Sequence, residues 1–212
     1  MKKKVKLFLF ILLSTIYYLL SAIPVQAAEE FITNYNVIYK IQPSGLTTVS
    51  QKISLTNKLS NIYATQYSLS IGTLDIQNVR AWDNAGPLNA SISRSNGSIT
   101  INLTFNEKVV GKDKTLEFTL EYETFDFASK NGQVWEIIIP KVSNIEDIDN
   151  YNLNLNVPLS FGKPAYLSPK PSKAQPPFYF FDKEVGAGGI IAAFGEFQIF
   201  DFEISFRLEN PS

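Results

Sequence analysis

The sequence has 212 residues with nineteen basic and twenty acidic side chains, and it contains neither cysteine nor histidine. Those two absences exclude Ser-His-Asp and Cys-His nucleophilic sites, disulfides, zinc sites built from His and Cys, and a histidine proton shuttle. After residue 27 there are fifteen basic and twenty acidic side chains. This balance argues against nucleic acid as a partner, because binding phosphates needs a basic surface.

Residues 1–27 have the layout of a secretory signal peptide. Four lysines lie within the first six residues, and an almost entirely apolar run follows at 7–25. Pro24 breaks that run, and Val25-Gln26-Ala27 offers the small residues that a signal peptidase reads. We expect cleavage after Ala27 and an extracytoplasmic, secreted or cell-surface chain over 28–212.

The apolar run also allows an alternative. Its nineteen residues are just long enough to span a bilayer as an uncleaved anchor. An uncleaved signal, or an anchor downstream of this sequence, is therefore the route by which we expect contact with a membrane.

Alternation of apolar and polar side chains predicts strands through most of the chain after residue 30. The third predicted strand has Tyr63 and Tyr67 on its inner face, and a later hairpin has Ile99, Ile101, Leu103 and Phe105 on its inner face. The predicted strands are 31–41, 46–56, 62–71, 74–82, 89–93, 98–105, 114–124, 133–140 and 151–158. This pattern predicts an all-β antiparallel β-sandwich, either one large two-sheet sandwich or two packed sandwiches divided near 126–132.

The last third of the chain changes character. Residues 158–177 hold six of the eleven prolines, which predicts an extended loop, an edge segment or a linker. The glycine-rich stretch that follows predicts a tight turn or a short helix at 189–194, and it lacks the spacing of a phosphate-binding loop. A final strand is predicted at 196–208, where aromatic and charged residues alternate.

Paired carboxylates near aromatic residues suggest a glycosidase, and the candidates are Glu121, Glu123, Asp126 and Glu136. Glu121 and Glu123, however, alternate with apolar neighbours, which places them on the solvent face of a strand. We therefore predict no catalytic residue and no enzymatic activity.

The acidic stretch at 144–152 contains Glu146, Asp147 and Asp149, which are the calcium candidates of the chain. No glycine occupies the tight turn and the spacing misses the EF-hand loop, so we predict a solvated loop, with no metal and no cofactor. Trp82 and Trp135 are candidates for stacking on a sugar ligand, and a core position is the alternative for Trp135.

Several segments carry a resemblance to a known family. YNVIYKIQPSGLTTVSQKISLTN, KNGQVWEIIIPKV, YNLNLNVPLSFGKPAYLSPKP and AAFGEFQIFDFEISF, in this order, resemble the N-terminal β-domain that precedes transglutaminase-like domains in bacterial surface proteins. The same style recurs in ribophorin I-like luminal domains. In that family the Cys-His-Asp chemistry belongs to a downstream domain, and none of those residues has a counterpart here.

The resemblance implies a non-catalytic, exported leading module that acts as a spacer or as a protein-interaction domain. Its implied partner is a protein or a cell-wall glycan at the cell surface. Two other classes stay open, a carbohydrate-binding or adhesive domain and a carboxylate-based hydrolase.

Overall fold

The structure is a computed structural model that describes residues 30–72, 75–95 and 98–195. The predicted signal peptide and the predicted final strand lie outside these residues, and so does the tip of the predicted hairpin at 96–97. Strands dominate the described chain, as the alternating pattern predicts. They are β1 (Phe31–Ile41), β2 (Thr47–Asn57), β3 (Gln66–Ile71), β4 (Gln77–Asp83), β5 (Gly86–Pro87), β6 (Asn89–Ser95), β7 (Ser98–Thr104), β8 (Thr115–Thr124), β9 (Ala128–Asn131), β10 (Val134–Ile139), β11 (Asn150–Asn156), β12 (Pro164–Ser168), β13 (Lys173–Gln175), β14 (Phe178–Phe181) and β15 (Ile190–Phe194).

The strands form three sheets. The largest has eight strands in the order β13-β14-β11-β1-β2-β8-β4-β5, and the others have the orders β12-β15-β10-β9 and β3-β7-β6. Neighbouring strands in all three sheets are antiparallel except β1 and β11, which pair in parallel from Asn34↔Asn150 to Lys40↔Asn156. The helical segments of the described residues are short: α1 (Lys183–Gly186) and two 3-10 turns, Ile145–Asp147 and Leu159–Phe161.

The two smaller sheets cover one face of the eight-stranded sheet. Tyr67 of β3 packs on Phe118 of β8 at 5.0 Å between ring centroids. Tyr179 of β14 packs edge-on against Phe194 of β15 at 5.7 Å. The all-β sandwich prediction is confirmed, with a second layer that is split between two sheets. One contiguous core joins all three.

The buried residues follow the predicted faces closely. Ile99, Ile101 and Leu103 of β7 are buried, as is Phe105 just beyond it. Tyr63 departs from the prediction, because β3 begins only at Gln66 and the Tyr63 side chain is 39% exposed.

Two segments of the proline-rich stretch form strands at the edges of sheets. Residues 164–168 and 173–175 form β12 and β13, the outermost strands of the four-stranded and eight-stranded sheets. The predicted turn or helix at 189–194 is wrong, because Ile190–Phe194 is β15 and pairs with β10 and β12. Residues 126–132 contain β9, and Phe127 and Ala128 are buried in the common core.

Asp83 is a buried carboxylate that connects two parts of the chain. Its Oδ1 accepts hydrogen bonds from the backbone amides of Ala85 and Gly86 at 2.9 and 3.2 Å. Its Oδ2 accepts one from the backbone amide of Asn106 at 2.9 Å. Burial raises the pKa of this carboxyl, but the hydrogen bonds outweigh burial and hold the pKa below its ordinary value of 3.8. Asp83 therefore ties the β4–β5 turn to the segment that leaves the three-stranded sheet.

The ionised form of Asp83 should stabilise the fold at neutral pH. Because the folded-state pKa is depressed, this contribution is present above pH 3.8 and is lost as the pH falls through the folded-state value. Asp83→Asn should lower the free energy of unfolding by about 1–3 kcal/mol at pH 7. Urea unfolding between pH 3 and 7 should also show a smaller acid-induced loss in this variant. Asp147→Asn, at an exposed site, serves as the control, and equal pH profiles for Asp83→Asn and the unsubstituted protein would contradict the assignment.

The register of β7 gives a second test. Leu103 has no exposed side-chain surface, whereas its neighbour Asn102 lies on the outer side and accepts a hydrogen bond from Ser68 at 2.6 Å. Leu103→Asp would bury a charge without a partner, so it should cost about 3 kcal/mol or more in urea unfolding. Asn102→Ala should cost less than about 1 kcal/mol. Similar costs at both positions would show that the register is wrong.

Candidate functional site

Trp82 lies on the outer face of the eight-stranded sheet. It sits on β4 between Thr119 of β8 and Pro87 of β5, and 41% of its surface is exposed. Residues that pair side by side on successive strands form a row across the sheet, and the row of Trp82 and Thr119 continues through Lys52 on β2. An exposed indole beside polar strands is the type of surface on which a sugar ring can stack.

Asparagine side chains lie on the same outer face of the sheet at β1 and β11. Asn36 and Asn152 continue the row of Trp82, and the Asn152 amide donates to Asn36 Oδ1 at 3.2 Å. In the next row Asn150 donates to Asn34 Oδ1 at 2.6 Å. These amides bond to one another across the β1–β11 pair, so their first role is to connect the two strands.

Trp135 has a different environment. It lies on β10, half-buried, and its ring stacks on Phe161 at 4.0 Å with an interplanar angle of 3°. Gly45, at φ +89°, allows the chain to pass close to this ring, because a Cβ there would lie 3.0 Å from the indole. The structure therefore places Trp135 in packing and does not bring it together with Trp82.

The four carboxylates considered for catalysis lie at the surface. Glu121 pairs with Arg80 at 2.5 Å, and Glu123 accepts from the Asn78 amide at 2.6 Å. Asp126 accepts from the backbone amide of residue 75 at 2.8 Å, and Glu136 lies on the exposed side of β10. Three of the four thus connect neighbouring segments of chain.

The calcium candidates are spread along the loop before β11. Glu146 and Asp147 lie in an exposed 3-10 turn, and Asp149 accepts a hydrogen bond from the Thr33 amide at 2.8 Å. Among residues 30–72, 75–95 and 98–195, no group of three or more acidic side chains has the geometry to hold a metal ion.

Tyrosine hydroxyls contribute polar groups in and beside the core. The hydroxyls of Tyr35 and Tyr67 lie 2.5 Å apart and join the eight-stranded to the three-stranded sheet. Tyr39 lies within interaction range of Tyr151, and Tyr122 lies within interaction range of Gln51. Burial raises the pKa of each of the tyrosines in this core group, so the phenols stay protonated and act as neutral hydrogen-bonding groups.

Two cavities open at the surface of the described chain. One, of about 840 Å³, lies beside the acidic loop and is lined by Lys141, Glu146, Asp149 and Lys183 among others, but Lys183 donates to the Ile148 carbonyl and Asp149 is already bonded. The other, of about 760 Å³, lies between the edges of the two layers and includes Lys163 and Tyr179. The sequence did not point to the second cavity, since its only signal there was an excess of proline.

Sequence comparison gives no family for this chain. No family model matches the sequence, and no curated protein matches it. In the described part of the chain, moreover, none of the helices has the length and apolar character needed to cross a bilayer.

Structural comparison gives a fold likeness. Native leukotriene A4 hydrolase from Saccharomyces cerevisiae matches with a TM-score of 0.50 and 11% identity over 80% of this chain, which spans 30% of the yeast protein. A putative nutrient-binding protein from Legionella pneumophila matches with a TM-score of 0.46 and 9% identity, over 78% of this chain and 66% of that one. An M1 zinc metallopeptidase from Deinococcus radiodurans matches with a TM-score of 0.40 and 9% identity, over 78% and 39%. At these identities the first match supports a shared fold and nothing finer.

Proposed function

We propose that this chain is a non-catalytic β-sandwich module of an exported bacterial cell-surface protein, and that it serves as a spacer or protein-interaction domain. The N-terminal signal-like segment supports the exported location. The resemblance to the leading domains of transglutaminase-like proteins supports the place in a larger protein. The fold match covers 30% of a longer enzyme, and a non-catalytic role for this chain is compatible with that match.

One observation carries the proposal: three of the four candidate carboxylates, and the phenols of the Tyr35–Tyr67 pair, already make structural contacts. The surface carboxylates of β8 pair with neighbouring strands, as in Glu121–Arg80, and the core phenols bond to one another, as in Tyr35–Tyr67. A glycosidase needs two carboxyls facing one substrate from a cleft. Glu121 and Glu123 instead lie on an open sheet face, and neither lines either cavity.

The absence of turnover is the direct test. The purified protein should show no hydrolysis of a panel of glycan and peptide substrates, with or without added divalent metal ions. If a weak activity is seen, Glu121→Gln/Glu123→Gln should leave it unchanged, since an exposed pair such as Arg80–Glu121 contributes at most about 1 kcal/mol to stability. Glu146→Gln is the matched control at a distant exposed site. If activity disappears in the double variant and persists in the Glu146→Gln control, the chain is a carboxylate-based hydrolase and the proposal of a non-catalytic module is wrong.

Glycan binding is the second candidate, and the exposure of Trp82 favours it. In this case the protein should co-sediment with insoluble cell-wall glycan, and Trp82→Ala should reduce the bound fraction at least tenfold, since stacking on a single aromatic ring dominates such contacts. Phe125→Ala, at a second exposed aromatic residue (56%), should bind normally. Equal binding by the two variants, or no binding by the unsubstituted protein, would leave Trp82 without a ligand role.

A further inference from the structure

The cavity between the two layers is built from three separate parts of the chain. Its base is the pair Tyr179 and Phe194, which face each other across the layers at 5.7 Å. One wall is the segment from Val157 to Pro164 between β11 and β12, and the other is the Pro176–Pro177 turn between β13 and β14. The Val157 amide donates to the Pro177 carbonyl at 2.9 Å, so the two walls are joined at one end.

Aromatic packing fixes the wall at Val157 to Pro164 to the four-stranded sheet. Phe161 follows the cavity-lining residue Leu159 in a 3-10 turn and stacks on Trp135. Gly162 then passes close to Gly195, since a Cβ on Gly162 would lie 3.2 Å from the Gly195 Cα, and Gly195 donates to the Lys163 carbonyl at 3.1 Å. The cavity is therefore bounded by segments that are fixed to the sandwich.

Tyr179 has a hydroxyl group that is left unpaired by the described residues. The residue is 3% exposed, yet within the described residues its hydroxyl makes no hydrogen bond. Tyr179 is one of the residues that line the cavity. Its oxygen is not fully buried, because Asn154 Oδ1 is the described side-chain atom that is both fully buried and unsatisfied. Burial raises the pKa of this phenol, which keeps it protonated and able to donate.

The remaining lining sets the ligand's chemistry. Four prolines, Val157 and Phe194 give apolar walls, and Lys163 is the charged residue among the described lining residues. The Lys163 side chain is exposed, and within the described chain it has no ion pair or hydrogen bond. An apolar pocket with a few convergent polar groups, of several hundred Å³, is typical of small-molecule sites.

We propose that this cavity binds a small apolar carboxylic acid, with the apolar body between Phe194 and the proline walls and the carboxylate held by the Tyr179 hydroxyl and the Lys163 ammonium. A carboxylate accepts hydrogen bonds from both donors, and the charge-assisted bond to the ammonium is the stronger of the two. This site lies on the opposite side of the large sheet from Trp82, and it is independent of the proposed surface role.

The test uses 4-phenylbutyrate as the probe, in a ligand-observed NMR titration with the full-length protein. We expect saturable binding at millimolar concentrations, the range for a ligand of about a dozen heavy atoms. The methyl ester and 4-phenylbutylamine have nearly the same shape without the negative charge, and each should bind at least fivefold more weakly. An acid that binds no better than the amine, or that shows no saturable binding, would overturn the proposal.

Three variants locate the site. Lys163→Glu should weaken binding of the acid at least fivefold, while Lys130→Glu, at an exposed lysine of β9, should not change it. Leu159→Trp places a large ring at the cavity rim, where Leu159 is 70% exposed, and should block binding without affecting folding. Unchanged affinity in both Lys163→Glu and Leu159→Trp would show that the acid binds elsewhere.

Tyr179→Phe separates a ligand role from a structural one. Removing a hydroxyl that makes no hydrogen bond within the described residues should leave the urea midpoint unchanged or raise it, and should weaken acid binding about three- to tenfold. Tyr67→Phe is the matched control: it removes a bonded hydroxyl, so the urea midpoint should fall while acid binding stays the same. A fall in the urea midpoint of Tyr179→Phe with no change in acid binding would make the hydroxyl structural and overturn its assigned role.

Discussion

The inner face of the eight-stranded sheet is too wide for one small sheet to cover, and the rest of the chain is arranged to keep it from water. The three-stranded and four-stranded sheets together cover this face, and tyrosine hydroxyls set the position of the three-stranded sheet. Tyr35 on β1 and Tyr67 on β3 are partly buried, and each hydroxyl is the hydrogen-bond partner of the other. Sliding the three-stranded sheet by one residue would leave both partly buried phenols without this hydrogen bond, which costs free energy. The position of the three-stranded sheet is therefore set by polar contacts, while apolar burial supplies most of the driving force for its packing on the large sheet.

Alternation along the chain was enough to identify most long strands and their inner faces, because burial on one side of a sheet imposes a period of two. It could not reveal that β1 pairs in parallel with β11, since neither strand differs locally from an antiparallel one. It also failed at Ile190–Phe194, where small and apolar residues without polar alternation form β15. There the pairing of β10 and β12 on both sides outweighs the weak local preference of a glycine-rich segment.

The candidate sites were less predictable than the strands. The sequence offers both Trp82 and Trp135 as stacking candidates, with a core position as the alternative for Trp135. The packing of Trp135 depends on Phe161 and Gly45, which are distant from it in sequence. The cavity between the layers depends on three segments that meet only in the folded chain. Proline content indicated where strands would be interrupted, but the unpaired Tyr179 hydroxyl becomes visible only when its surroundings are known.

The parallel pairing of β1 with β11 has a consequence for how the chain folds. Asn34 bonds to Asn150, 116 residues later, and at a synthesis rate of about 5–20 residues per second the second strand follows the first by roughly 6 to 23 s. The β1–β2 hairpin can close early. The other edge of β1 stays unpaired throughout that interval, so its backbone amides and carbonyls can pair with strands of other chains. Closing so long a loop also costs entropy before any long-range contact forms, which makes docking of β11 a slow step. β1 is thus among the last of the described strands to gain both neighbours, and a chaperone bound to its open edge would protect it during that wait.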